Sequence, residues 1–303
     1  MEKIIPYSKN LCSKFAEKMI SIKLTSVCNG NCSFCVDRGG YTPEKDNINI
    51  RKIVEEANKL TEYQTVIITG GEPFLVFEDL IILLEMLRPY KKRIVVNTNG
   101  SKLDVKKIMR LNGLINELQI SIHNPDEEIN NSVFGFKFNK YDPTATYVHF
   151  ELIKHALKYK SFFCSINTCF NKTMSFKDLR EMEKLVYYLG ADKLRLTELK
   201  KVDDSEFVEA EEFFRSEDEF CSRSSEELIT KGCMKEYTSE EGILVSVKRL
   251  CKYAKGTNAP AFSCCFINTE GQTKIDVDTK ETFKVIYADG SVYNDWIFNG
   301  INK

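Results

Sequence analysis

SIKLTSVCNGNCSFCVDRGG, Ser21 to Gly40, is the stretch that decides how this chain folds. An apolar-rich run from Met19 to Leu24 reads as a β-strand and breaks into a loop carrying Cys28, Cys32 and Cys35. Their spacing is C-x3-C-x2-C, close enough for three thiolates to face one metal centre from a single loop. Asn29, Gly30 and Asn31 supply the backbone freedom that such a wrap requires. A structural zinc site takes four protein ligands, and a fully ligated [4Fe-4S] cluster takes four cysteines. After Cys35 no further cysteine or histidine follows until His123. A cubane held by three cysteines keeps one iron open, an arrangement for catalysis. The alternative reading of the loop is a zinc site or three unrelated thiols.

Outward from this loop the chain alternates. Apolar positions at Ile53, Val54, Ala57 and Leu60 have helical spacing, and Gln64 to Thr69 is a nearly continuous apolar strand of the kind buried in a parallel sheet. Helical patterns at 77–87, 105–111, 146–158 and 175–189 alternate with strands at 93–97, 117–123, 162–168 and 193–198. The last helix opens on a good N-cap, Ser175, and ends at Gly190. Strand and helix repeated with short connections predict a parallel sheet with right-handed crossovers. Six units predict an α/β fold, a partial (β/α)6 TIM-type barrel. The one long connection, Asn124 to Ala145, is either a functional lid or a surface insertion. From residue 201 the pattern changes: 202–227 is acidic and broken, 242–247 is apolar-rich, and 262–296 reads as hairpins with turns at Glu270-Gly271 and Asp289-Gly290. The expected organisation is an N-terminal segment 1–18, a barrel 19–200 and a small α+β extension 201–303.

In parallel barrels active sites gather at the C-terminal ends of strands. The second strand ends in Gly70-Gly71-Glu72-Pro73, where glycines allow close backbone approach, the carboxylate can receive an ammonium, and proline stiffens the exit. The third ends in Asn97-Thr98-Asn99-Gly100, the fourth in Ser121-Ile122-His123, the fifth near Asn167, the sixth at Arg195 and Glu198. The cysteine loop followed one βα unit later by GGEP resembles the radical S-adenosylmethionine (SAM) family, and the order of motifs from Ser21 to Leu199 is similar to its molybdenum-cofactor GTP cyclase branch. The resemblance implies that Cys28, Cys32 and Cys35 ligate a [4Fe-4S] cluster whose open iron is chelated by SAM. It implies that an electron from the cluster cleaves SAM to methionine and a 5′-deoxyadenosyl radical. It assigns the SAM amino group to Gly70, Gly71, Glu72 and Pro73, and the SAM or substrate pocket to Asn97 and Thr98. It gives Ser121 a contact with the SAM ribose or carboxylate, and Arg195 of the Arg195/Glu198 pair a bidentate grip on the carboxylate. Against the last stands an ion pair internal to the barrel. Asn167 joins the same lining, and Phe34 is expected against the cluster or the adenine. The family often carries aspartate at the position of His123; the departure reflects either a different substrate or a loop hydrogen bond.

Composition is ordinary for a globular protein. The chain has 303 residues, 43% hydrophobic, 29% charged, with a formal net charge of -1. No global case for nucleic acid or membrane binding follows, and no apolar run approaches the ~20 residues of a membrane span. The N-terminus lacks a long apolar core and a small-residue cleavage site, so the expected compartment is the reducing cytoplasm, with the eleven cysteines free or cluster-bound. Cys12, Cys164 and Cys169 read as structural. Cys233, Cys251, Cys264 and Cys265 are candidates for a second cluster; the alternative is buried thiols, since the pattern lacks the CxxC pairs of the family's usual extensions. The expected electron donor is a flavodoxin or ferredoxin. The expected substrate is a small molecule or nucleotide. A peptide is the alternative, and the few residues before the barrel weigh against it.

Overall fold

The computed structural model describes residues 18–35, 47–137, 147–169, 174–197, 229–231, 234–248 and 283–294. The alternation holds. β1 (Met19–Thr25), α1 (Ile50–Lys59), β2 (Thr65–Gly70), α2 (Phe77–Leu87), β3 (Arg93–Thr98), α3 (Val105–Leu111) and β4 (Glu117–Ser121) follow in turn. Then come α4 (Glu127–Val133), α5 (Phe150–Leu157), β5 (Phe163–Cys169), α6 (Phe176–Leu189) and β6 (Lys193–Thr197). Short strands β7 (Ile229–Lys231), β8 (Met234–Thr238), β9 (Leu244–Lys248), β10 (Phe283–Tyr287) and β11 (Val292–Tyr293) complete the described chain.

All eleven strands form one sheet in the order β11-β10-β1-β2-β3-β4-β5-β6-β9-β8-β7. β1 to β6 pair in parallel in sequence order, as the alternation implies. Two strands of the C-terminal third extend this parallel sheet: β10 runs parallel beside β1, and β9 parallel beside β6. Among the described residues the parallel part therefore has eight strands, the six of the βα units with one added at each edge. Among the described residues β9 and β10 do not pair with each other, and the sheet is not closed. The hairpin expected around Asp289-Gly290 is β10–β11, and Gly290 takes the left-handed conformation that its turn needs (φ 82°).

Alternation sorts the side chains. Ile20, Ile22, Leu24, Val66, Ile68, Ile94, Val96, Leu118, Ile120, Ile166, Leu194 and Leu196 are fully buried and share one hydrophobic cluster with the helices. Their odd-numbered neighbours line the inside, and many of those are polar and buried: Ser21, Thr65, Glu117, Gln119 and Ser165. Helix ends agree with the local signals. Ser175 and Asp178 form a capping box on α6, and Gly190 caps its C-terminus with φ 73°.

One element differs from expectation. The long connection after β4 contains α4, whose start is capped by Asp126 accepting from the Glu128 and Ile129 amides. Its asparagines are buried and used. Asn131 donates to the Val148 carbonyl (2.9 Å) and accepts from the Val148 amide (2.7 Å), while Asn130 accepts from the His123 amide (2.8 Å). A polar run with no apolar period thus becomes a helix because tertiary hydrogen bonds hold it.

Candidate active site

The site begins where β1 releases the chain. The Gly71 amide donates to the Thr25 carbonyl and the Glu72 amide to the Val27 carbonyl, each at 2.8 Å. The two glycines make this close backbone contact possible. A Cβ on Gly70 would stand 2.3 Å from the Thr25 oxygen, and one on Gly71 2.1 Å from the Val27 oxygen. The turn after β2 is pressed against the entrance of the cysteine loop, backbone to backbone.

Glu72 fixes this turn from inside. It is 1% exposed, and its carboxylate accepts from the Phe74 amide (2.9 Å), the Thr98 hydroxyl (2.7 Å) and the Asn99 amide (2.6 Å). Burial pushes its pKa up to about 7, against the three hydrogen bonds. The carboxylate joins the end of β2 to the end of β3 and keeps acceptor capacity for one further donor. Pro73 opens a buried turn of 3-10 helix, Pro73–Val76, capped by Glu72.

The end of β3 reaches the cysteine loop itself. Asn99 donates to the Asn29 side-chain oxygen (2.9 Å), and Asn29 donates to the Ser101 hydroxyl (2.8 Å). On the far side the Asn31 amide donates to the Phe134 carbonyl (2.7 Å). Asn29, Asn99, Ser101 and Phe134 were not singled out as site residues from the sequence. Only their neighbourhood to Cys28 and to the Asn97–Gly100 strand end pointed toward them.

Within the loop the Gly30 amide donates to Cys28 Sγ (3.3 Å), and the Cys35 amide to the Cys32 carbonyl (3.2 Å). Burial raises the Cys28 thiol above its ordinary value, with the charges of Glu72 and Cys35 adding to it. Burial, then Cys35 and Cys28, push Cys32 up to about 12. The three sulfurs thus lie near enough to oppose one another's ionisation, and a bound cation would reverse that opposition. Among the described residues no three His, Cys, Asp or Glu side chains converge on a single ion. The inner wall offers a second fit. Asn97 Oδ1, at the end of β3, is buried without a hydrogen-bond partner in the structure. An orphaned acceptor there suits a ligand bearing N–H donors, such as the ammonium or adenine of SAM.

Phe34 packs edge-on against His123, centroids 5.1 Å apart, and His123 lies 5.1 Å from Phe134. His123 Nδ1 accepts from the Cys169 amide (3.2 Å), so the proton of the neutral ring sits on Nε2. Complete burial lowers its pKa to about 4. Its contacts are those of a loop anchor. Ser121 stands beside Asn167 in the β4–β5 register, and Asn167 donates to Gln119 (2.9 Å). Cys164 is fully buried, as a structural thiol would be. Cys169 also lies near Cys32, whose thiol its charge would raise.

Arg195 takes a different place from the one expected. Its guanidinium pairs with Glu117 (3.5 Å), the first residue of β4, at the mouth opposite the cysteines. The buried carboxylate draws it there, since burial otherwise lowers the pKa of the guanidinium. The internal ion pair is the observed alternative. Glu198, Cys233, Cys251, Cys264 and Cys265 lie outside the described residues.

Comparison with known proteins adds a family. The model of the radical SAM superfamily matches residues 22–189. YydG of Bacillus subtilis (strain 168), a putative peptide biosynthesis protein, is 34% identical over 106 residues, 34% of this chain and 33% of that one. A probable GTP 3′,8-cyclase of Thermococcus kodakarensis is 31% identical over 120 residues, 38% of each chain. The matched part is therefore between a third and two-fifths of these relatives' length. The crystal structure of Streptococcus suis SuiB bound to precursor peptide SuiA superposes with a TM-score of 0.63 at 16% identity, covering 94% of this chain and 61% of SuiB. At that identity the likeness shows the fold alone.

Proposed function

The chain belongs to the radical SAM superfamily, and from that premise we propose that it is an enzyme holding a [4Fe-4S] cluster on Cys28, Cys32 and Cys35 with SAM beside it. When bound, the reduced cluster and SAM supply methionine and a 5′-deoxyadenosyl radical that takes a hydrogen atom from the substrate. The observation that carries this reading is the mutual bracing of three strand ends. The cysteine loop is tied to the Gly70–Pro73 turn by two backbone bonds and to the β3 end through Asn29 and Asn99. Cluster ligands and the lining assigned to SAM are thus set at one mouth of the barrel.

The chain's own residues do the positioning. Glu72 holds the β2 and β3 exits together and offers its remaining acceptor position to the amino group. Asn97 offers its unpartnered oxygen. Ser121 and Asn167 line the same interior one and two strands on. Phe34, His123 and Phe134 close the back of the cysteine loop with apolar surface, which excludes water from a reactive radical. The electron comes from a flavodoxin or ferredoxin in a reducing, cytoplasmic compartment. A second cluster on Cys233, Cys251, Cys264 and Cys265 belongs to the same reading. It makes the expected iron content about eight rather than about four per chain, with four in fully reconstituted protein against it.

For the substrate, a small molecule or nucleotide is the first reading. It is supported by the likeness to the GTP 3′,8-cyclase. A peptide is the second, favoured by the likeness to YydG. Anaerobically reconstituted protein, given SAM and reductant, is incubated with GTP and other nucleotides in one series and with a precursor peptide encoded beside its gene in another. A nucleotide that speeds 5′-deoxyadenosine formation and is itself altered in mass supports the first reading. Nucleotides without effect, beside a peptide of altered mass, overturn it.

A further inference from the structure

The opposite mouth of the barrel is also built around charge. A cavity of about 270 Å³ is lined by the first residues of β3, β4, β5, β6 and β9. Its lining holds three cations, Arg93, Lys193 and Arg195, and the carboxylate of Glu117, with Glu236 beside Lys193 as a second carboxylate. Glu117 is heavily engaged. It takes Arg93 at 2.6 Å, the Ser165 hydroxyl at 2.7 Å and the Gln119 amide at 2.8 Å, leaving Arg195 at 3.5 Å. Those contacts, against the effect of burial, hold its carboxyl below the usual range. Lys193 pairs with Glu236 at 2.9 Å. Arg195 sits near enough to Arg93 for their charges to oppose each other.

A carboxylate has about four lone-pair sites, and four donors already approach Glu117. With Arg93, Ser165 and Gln119 already within 2.8 Å, it holds Arg195 only at 3.5 Å. Two planar forks and an ammonium around one small cavity suit a tetrahedral oxyanion, which accepts from several directions at once. We propose that this cavity binds an oxyanion of the phosphate class, bridging β3 and β6 across the barrel interior. Among the described residues β9 and β10 do not pair, so no strand ladder closes the sheet there. A ligand strapped across the inside then stabilises the folded state by mass action.

The test uses the full chain with inorganic phosphate as probe, ionic strength being held with sodium chloride. Thermal unfolding and calorimetric titration are measured for wild type, Arg195→Met and Lys193→Met. Expected are one phosphate per chain, a saturable rise in Tm, and affinity about tenfold or more weaker in each variant, as for loss of one charge-assisted contact. Lys193 lies at the cavity rim, so Lys193→Met keeps the test open if Arg195→Met does not fold. Saturating SAM is expected to leave phosphate affinity unchanged. A Tm rise no greater than sodium chloride alone gives, affinity unaltered in the folded variants, or displacement of phosphate by SAM overturns the proposal.

Discussion

Glu72 and His123 are both buried ionisable groups beside the cysteine loop, and they are held in opposite ways. Glu72 accepts three protein donors, two of them backbone amides that cannot turn round. In Glu72→Gln the amide nitrogen must face a donor, leaving one buried group unsatisfied. The expected cost is about 1–3 kcal/mol, visible by urea unfolding of cluster-free protein; an unchanged midpoint would show that the carboxylate braces nothing. His123 is buried neutral. The unfolded chain protonates it near pH 6.5, whereas the folded ring resists until about 4. Between those values the unfolded state binds the extra proton, so stability present above pH 6.5 is lost as pH falls. Wild type should lose about 2–3 kcal/mol more than His123→Gln between pH 7.5 and 4.5; parallel pH curves would refute this. The loop that releases Cys28, Cys32 and Cys35 from the end of β1 was legible because strand pattern and cysteine spacing are local signals. The direction of Arg195 was not, because it depends on Glu117, 78 positions away in sequence and two strands over.

At the scale of elements, the joint between the β1 exit and the β2 exit carries the site. Gly71→Ala would drive a methyl group into the Val27 carbonyl. Overpacking of this kind costs about 1–3 kcal/mol, and here the strain falls on the chain entering Cys28. Both a lower urea midpoint and poorer iron retention after reconstitution are expected; a variant equal to wild type in both would mean the contact yields freely. GGEP was readable as a special turn, but the reason for its glycines was not. They answer to the close approach of a neighbouring strand end, which no local pattern announces. β1 to β6 were readable because apolar runs and helical periods alternate. α4 was hidden because its order comes from Asn130 and Asn131 bonding to distant backbone. The apolar run at 242–247 was visible, yet its partner, β6, could not be read from it, since strand pairing is not encoded within a strand.

Across the whole molecule, the C-terminal third protects both edges of the parallel core. β10 covers β1 and β9 covers β6. A chain ending at Thr197 would expose two edge strands, a template for association. It should elute as aggregate and bind a hydrophobic dye; a monomer with the wild-type urea midpoint would show that β9 and β10 are dispensable. The two mouths of this open barrel differ in chemistry, thiols and an orphaned amide oxygen at one, guanidiniums and an ammonium at the other. The central claim concerns the first mouth, and its most direct test is reductive cleavage of SAM. Wild type and the single variants Cys28→Ala, Cys32→Ala and Cys35→Ala are reconstituted anaerobically, reduced, given SAM, and assayed for 5′-deoxyadenosine and methionine. Wild type is expected to form both, and each variant neither, with far-UV circular dichroism unchanged; cleavage retained in any one variant, or absent from iron-loaded wild type, would contradict the account.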